Sequence, residues 1–271
     1  MVIPEFETLA LTVEQQVATV ALNRPDKANS MNAVMWPELQ ACFEWLDAEP
    51  GVRAIVLVGN GRHFCAGLDL AMFSGIKGHS SDPARQAEEF RRNVLRMQDN
   101  LSAIEQCRKP VLAAIHNTCI GGGVDLVCCC DMRYATEDAW FAIREIDIGM
   151  TADVGTLQRM PKLVADGIVR ELAYTGRNMD AEEAREVGFV NRVYPDRATL
   201  LREVTEIARS IARKSPLAVR GTKEMIVYAR DHSVRDGLNH IATWNAGMLS
   251  QVDLMAGVEA QANKRQATFE D

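Results

Sequence analysis

The segment REIDIGMTADVGT, residues 144–156, sets three carboxylates, Glu145, Asp147 and Asp153, among apolar residues that otherwise read as packed core. A carboxylate in such surroundings is costly unless it is paired, hydrogen-bonded or protonated, so each is either satisfied locally or used in proton transfer. A fourth acid, Asp125, follows the triple glycine of IHNTCIGGGVDLVCCCD, residues 115–131, where an apolar strand and a short loop lead into a helix expected to begin near Val124. Glycines at a helix start leave backbone N–H groups bare and let a ligand approach the main chain. The run lacks the Gly-Lys-Ser/Thr of a phosphate loop, and no G-x-G-x-x-G with a later acid is present. Two readings stay open: the glycines hold an oxyanion formed during reaction with fixed amide dipoles, or they only permit a tight turn. A second small-residue loop, GRHFCAGLDLAMF (residues 61–73), also follows a strand and offers a second N–H. Two donors converging on one oxygen are what an enolate or a tetrahedral oxyanion requires.

These loops need a scaffold. Alternating apolar runs predict strands at LALTV, VATVAL, RAIVLVG, PVLAAIH, DMRYA and FVNRVY, interleaved with helical patterns such as MNAVMWPELQACFEWLDA, so the fold class is α/β. Pro37 sits badly in a helix starting near Asn32, which must therefore kink or begin late. From about Arg197 the pattern is helical throughout, which divides the chain into a core at 1–196 and a helical C-terminal region at 197–271. Ile241, Trp244, Met248, Met255 and Val258 recur there at helical spacing, as part of the chain's own core or as a subunit interface.

The 271 residues, 47% of them hydrophobic, allow one large core. Thirty basic against thirty-seven acidic residues give a formal charge of −7, which disfavours nucleic-acid or anionic-membrane binding. No apolar run is long enough to span a bilayer and the first residues do not resemble a signal peptide, so a cytoplasmic location is expected. The seven cysteines, three of them consecutive, form no C-x-x-C pair and read as reduced packing thiols rather than a metal site or a disulfide framework. His63 and His116 read as loop and core residues with no nucleophile beside them.

Four segments, NRPDKANSMN, HFCAGLDL, CIGGGVDLVCCCDMRYA and AIREIDIGMTADVGTLQRMPKLV, in this order and at these separations, resemble the enoyl-CoA hydratase/isomerase (crotonase) superfamily. The resemblance covers nearly the whole chain. It implies a spiral core of ββα units, a helical C-terminal region used for trimerisation, often with two trimers stacked as a hexamer, and acyl-coenzyme A thioesters as substrates. No separate cofactor is implied, since coenzyme A belongs to the substrate. Leu68 and Gly122 then match the oxyanion-hole N–H donors, with Ala66, Gly67, Leu68, Asp69, Leu70 and Gly123 lining the thioester site. Arg24 and Lys27 are candidates for the coenzyme A phosphates, against a reading as solvated surface, and Lys264 and Arg265 for a neighbouring subunit's ligand.

The superfamily varies its acid–base groups, and these define the subtype. Hydratases typically carry glutamates at the positions of Asp125 and Glu145, and a small uncharged residue at the position of Asp153. GGGVDL, Glu145 and ADVGTLQR are instead similar to the dienoyl-CoA isomerases of fatty acid β-oxidation, which convert 3,5- to 2,4-dienoyl-CoA and have all three acids. The resemblance implies Glu145 as base at C2 and Asp153 as acid at C6, with Asp125 orienting them; Asp147 stays structural. The alternatives are an enoyl-CoA hydratase, and a non-catalytic member such as the RNA-binding branch, against which the negative charge and the full acid set speak. A blander reading makes Asp125 and Asp153 helix caps.

Overall fold

A computed structural model describes residues 1–75 and 80–271. The main sheet has six strands in the order β1-β2-β3-β4-β6-β9. In chain order these are β1 (Leu9–Glu14), β2 (Val17–Leu22), β3 (Ala54–Gly59), β4 (Val111–Ile115), β6 (Met132–Thr136) and β9 (Arg192–Tyr194). Only β1 and β2 pair antiparallel; the remaining neighbours are parallel, as helical crossovers require. A second sheet, β5-β7-β8, is built from three very short strands, Thr118–Ile120, Trp140–Ala142 and Met179–Asp180. Sequence reading missed this sheet, because two or three residues are too few to show a period of two.

Helix α1 spans Met35–Ala48, α2 Pro83–Gln106, α3 Gly122–Cys128, α4 Thr156–Arg159, α5 Asp166–Thr175 and α6 Ala181–Glu186. Four more, α7 (Arg197–Ala212), α8 (Pro216–Ala229), α9 (Val234–Met248) and α10 (Gln251–Ala262), form the C-terminal part. The late start of α1 resolves the problem of Pro37. It lies in the first turn, where its missing N–H leaves no intrahelical bond unmade, and Asn32 Oδ1 accepts from Met35 N at 3.0 Å.

Strand β3 shows how the layers form. All six residues are buried. Ile55 and Leu57 face the core shared with α1, while Ala54, Val56 and Val58 face α7. On α7 the residues Leu200, Val204, Ala208 and Ala212 recur every fourth position and form one buried stripe against that face. Each leucine- or valine-sized side chain so buried contributes roughly 1.5–3 kcal/mol.

The C-terminal residues divide between the two readings left open by sequence. Trp244 packs against Gly221 of α8, where a Cβ would come within 2.6 Å of its ring nitrogen. Met248, Met255 and Val258 are instead exposed, as are Val234, Leu238 and Val252. All seven cysteines are buried and free. His116 Nε2 meets the Gly61 carbonyl at 3.0 Å, and His63 Nδ1 meets Asn117 and Thr118, so both histidines are satisfied within the scaffold. Among the described residues, no helix is long and apolar enough to cross a membrane.

Candidate active site

The two small-residue loops are brought together by the second sheet. Strand β5 leaves β4 through a turn at His116–Asn117, pairs with β7, and is followed by Gly121, whose N–H donates to Ala142 O at 2.9 Å. On its other side β5 meets the 61–73 loop: Cys65 N donates to Thr118 O at 2.9 Å and Ile120 N to Cys65 O at 3.1 Å.

The Leu68 N–H is oriented by a parallel bridge to Met31. Met31 N donates to Gly67 O at 2.8 Å, and Asp69 N donates to Met31 O at 3.0 Å. A bridging residue of this kind uses the groups on either side of its partner, so Leu68's own N–H turns the opposite way. That side faces Gly122, and a Cβ built on Gly122 would stand 3.6 Å from Leu68 N. Neither the Leu68 nor the Gly122 N–H donates to another described residue. Gly122 is the first residue of α3, two positions earlier than expected from sequence, and its N–H is one of those a helix start leaves bare. Two unengaged donors therefore stand side by side on one wall.

The three glycines serve three purposes. Gly121 takes φ 51° and ψ −121°, a conformation other residues avoid, and a Cβ there would lie 3.1 Å from Glu145 Oε1. Gly122 has no positive φ, and its lack of a side chain keeps the space beside Leu68 N open. Gly123 packs on Cys65, 3.0 Å from where its Cβ would be, and does not line the cavity.

That cavity is about 810 Å³ and contains Asp125, Glu145 and Asp153 together with Ala66, Gly67, Leu68, Leu70 and Gly122. Trp36, Val94 and Met97 supply apolar wall. Asp69 lies outside it. Its carboxylate pairs with Arg24 Nη1 at 2.9 Å and accepts from Ala71 N, so it braces the loop rather than facing the cavity. The same ion pair engages Arg24, leaving Lys27 as the exposed cation of that turn. Arg265 pairs with Glu259, and Asp147 with Arg144 at 2.8 Å, both near the surface.

Asp125 is fully buried in the first turn of α3. Its Oδ1 accepts the Thr156 N–H at 2.6 Å and its Oδ2 has no partner among the described residues. Thr156 begins α4, so Asp125 caps that helix across space, and Asp153 makes no cap bond to it. Sequence reading missed Thr156, since a backbone donor from a distant segment leaves no mark in residue type. It also passed over Asn29, which is buried and donates to Asn60 O and His63 O, both at 2.8 Å, holding the Met31 segment in place.

Glu145 opens a short 3-10 turn, Glu145–Ile148, shortly after β7, and its Oε2 is likewise buried without a partner among the described residues. Burial, then the neighbouring Asp125 charge, raises the Glu145 carboxyl to about 7. Burial raises Asp125 to about 6 despite the bond from Thr156. Asp153 is also raised, by burial. Three carboxyls thus titrate above their ordinary range in one cavity, beside two free amides. Such a site can hold a developing oxyanion and move a proton on either side of it.

Comparison with known proteins agrees with this geometry. The family model for enoyl-CoA hydratase/isomerase matches residues 12–271. This chain belongs to the enoyl-CoA hydratase/isomerase family. Among its relatives is the human protein named Delta(3,5)-Delta(2,4)-dienoyl-CoA isomerase, mitochondrial, 44% identical over 96% of this chain and 81% of the relative. An Arabidopsis thaliana protein, named as the peroxisomal form of the same isomerase, is 43% identical over 99% of both. A solved enoyl-CoA hydratase from Bacillus anthracis superposes with a TM-score of 0.89 at 32% identity, over 97% of this chain and 99% of that one. The fold is therefore the crotonase fold of this family. The cytoplasmic expectation is overturned by these isomerase relatives, which are named mitochondrial or peroxisomal. It rested on the absence of a spanning or leader-like run, and neither feature reports which compartment a folded enzyme works in.

In this member of the enoyl-CoA hydratase/isomerase family the raised acids should also be visible in stability. A carboxyl whose folded pKa is raised stabilises the protein only while protonated, so its contribution is complete below the ordinary value and is lost as pH rises through the folded one. For Glu145 the window runs from 4.5 to about 7. Glu145→Gln is expected to be more stable than wild type by about 2 kcal/mol near pH 8, allowing for partial exposure, with the gain gone below about pH 4.5. Denaturant melts at the two pH values check this; an equal difference at both would refute it.

Proposed function

We propose that this enzyme isomerises 3,5-dienoyl-CoA to 2,4-dienoyl-CoA. The observation that carries the reading is Asp153, a third acid lining the same cavity as Asp125 and Glu145, alongside isomerase relatives at 43–44% identity. The thioester carbonyl oxygen sits between the Leu68 and Gly122 N–H groups. Glu145 takes a proton from C2, and the electron pair delocalises through C3–C6 and onto the carbonyl oxygen, where the two N–H groups stabilise it. Asp153 then delivers a proton to C6. One C–H bond breaks at C2, one forms at C6, and the two double bonds shift from 3,5 to 2,4. A proton relay over that distance is more than one carboxylate readily covers, and two acids with different surroundings divide it. Glu145 ends the cycle protonated and Asp153 ionised; exchange among the carboxyls and with solvent resets them. Asp125, which accepts the Thr156 N–H, fixes the Asp153–Thr156 turn and keeps the Glu145 proton affinity high.

Incubating the protein with 3,5-dienoyl-CoA and with 2-enoyl-CoA tests the reading. Isomerisation is expected to exceed hydration, and hydration without isomerisation would replace it with the hydratase alternative.

The assembly proposed for this enzyme is a trimer or a hexamer joined through the helical part of the chain. Support comes from the apolar residues that α9 and α10 leave exposed, Val234, Leu238, Met248, Val252, Met255 and Val258. Light scattering at micromolar concentration is expected to give three or six times the 30.0 kDa chain mass. A monomer would refute it.

A further inference from the structure

Helix α2 touches both the substrate cavity and the backbone that carries the distal acid. Val94 and Met97 face the cavity. One position on, Gln98 leaves that wall and donates from Nε2 to the main-chain oxygen of Asp153 at 2.6 Å. Ser102 and Glu105 follow at i+4 and i+7, on the same face of the helix. Both receive Arg159: its Nη2 reaches Ser102 Oγ at 3.0 Å and its Nε reaches Glu105 Oε2 at 3.2 Å. Arg159 ends α4, and its own N–H donates to Gly155 O at 2.9 Å. One polar stripe of α2 therefore holds both ends of the segment from Asp153 to Arg159.

Within the segment Val154 and Thr156 are buried, while the Asp153 side chain itself is only partly covered. Gly155 has φ +139°, and a side chain there would collide with the Arg159 guanidinium. Thr156, between the two anchored ends, gives its N–H to Asp125. Among the described residues, no other gives the Asp153 side chain a hydrogen bond, so its position is set through its backbone. The only side-chain donor to that backbone among the described residues is Gln98.

We propose that Gln98 is a positioning residue for the distal proton transfer. It locks the Asp153 main chain to the helix that forms the acyl wall, so that the acid and the bound chain keep a fixed separation. This rests on the isomerase reading, in which Asp153 serves C6 and Glu145 serves C2. Because Gln98 holds only the Asp153 side, its loss should slow reprotonation and spare abstraction.

Gln98→Met keeps the side-chain length and removes the donor. It is expected to lower kcat for 3,5-dienoyl-CoA on the order of tenfold, the scale of a displaced catalytic group, with KM within about twofold of wild type. Solvent deuterium should still enter C2 at close to the wild-type rate. Gln98→His returns an N–H at similar reach and should recover part of the lost kcat, which a packing role alone would not predict. Wild-type enzyme run alongside separates the two hypotheses. If it isomerises and Gln98→Met matches its kcat, or if C2 exchange falls as far as kcat, the positioning role is overturned and the isomerase reading stands. If wild type fails to isomerise, both fall. Should Gln98→Met prove unfolded by thermal melt, the His variant alone decides: a normal KM with reduced kcat and intact C2 exchange supports the role, and loss of exchange in step with kcat refutes it.

Discussion

Replacing Asp153 by Asn is expected to lower isomerisation of 3,5-dienoyl-CoA on the order of 10²-fold or more, the usual scale for a positioned acid or base. Asn keeps the size and shape of the side chain and loses the transferable proton. The cavity should survive, because what Asp153 contributes to the fold is its backbone, held by Gln98, while Thr156 is capped by Asp125 and not by Asp153. The decisive measurement is exchange. With Asp153→Asn, Glu145 and the two N–H donors remain, so solvent deuterium should still enter C2 although 2,4-dienoyl-CoA does not accumulate. With Glu145→Gln neither process should occur, since no other group is assigned to C2. A hydratase would behave differently, because water addition there needs only the acids at positions 125 and 145. Wild-type isomerisation in Asp153→Asn would end the assignment of Asp153 as the C6 acid.

The largest loss is expected from Gly122→Val. The backbone at Gly122 has no positive φ, so a side chain is tolerated by the helix, and the substitution acts through space. A Cβ would stand 3.3 Å from Met31 Sδ and 3.6 Å from Leu68 N, and the valine methyl groups would reach into the place assigned to the thioester oxygen. Losing one oxyanion donor typically costs 10²–10³-fold, and blocking access to both should reach on the order of 10³-fold or beyond. Near-native circular dichroism and melting temperature, with turnover below detection and no C2 exchange, is the expected result. Measurable wild-type turnover in a folded Gly122→Val protein would remove Leu68 and Gly122 from their assigned role. Gly121 would make a poorer test, since its φ of 51° and ψ of −121° need glycine for folding itself.

The relation between the two acids follows from their surroundings. Glu145 is raised to about 7 by burial and by Asp125, and Asp153 is raised by burial. A raised carboxyl holds a transferable proton nearer to neutral pH, which suits a site where one acid gives a proton while another takes one.

Residue type and order alone carried the strands of the main sheet, the helical character of the C-terminal part, and the acids Asp125, Glu145 and Asp153, because apolar periodicity and an acid in an apolar run are local properties of the chain. The two glycine-containing loops were legible for the same reason. Sequence did not distinguish a helix cap from a catalytic acid at Asp125 and Asp153, since both readings use the same residue beside the same helix start. The tertiary structure shows which of the two makes a cap bond: Asp125 Oδ1 accepts the Thr156 N–H, thirty-one positions away, while Asp153 makes no cap bond there. It likewise decided that Asp69 faces Arg24, that Gly122 rather than Val124 begins α3, and that Gln98 reaches the Asp153 main chain. Apart from the start of α3, each of these is a contact between segments distant in the chain. The second sheet, which brings the two small-residue loops together, was equally hidden, because its strands of two or three residues have no periodicity to read.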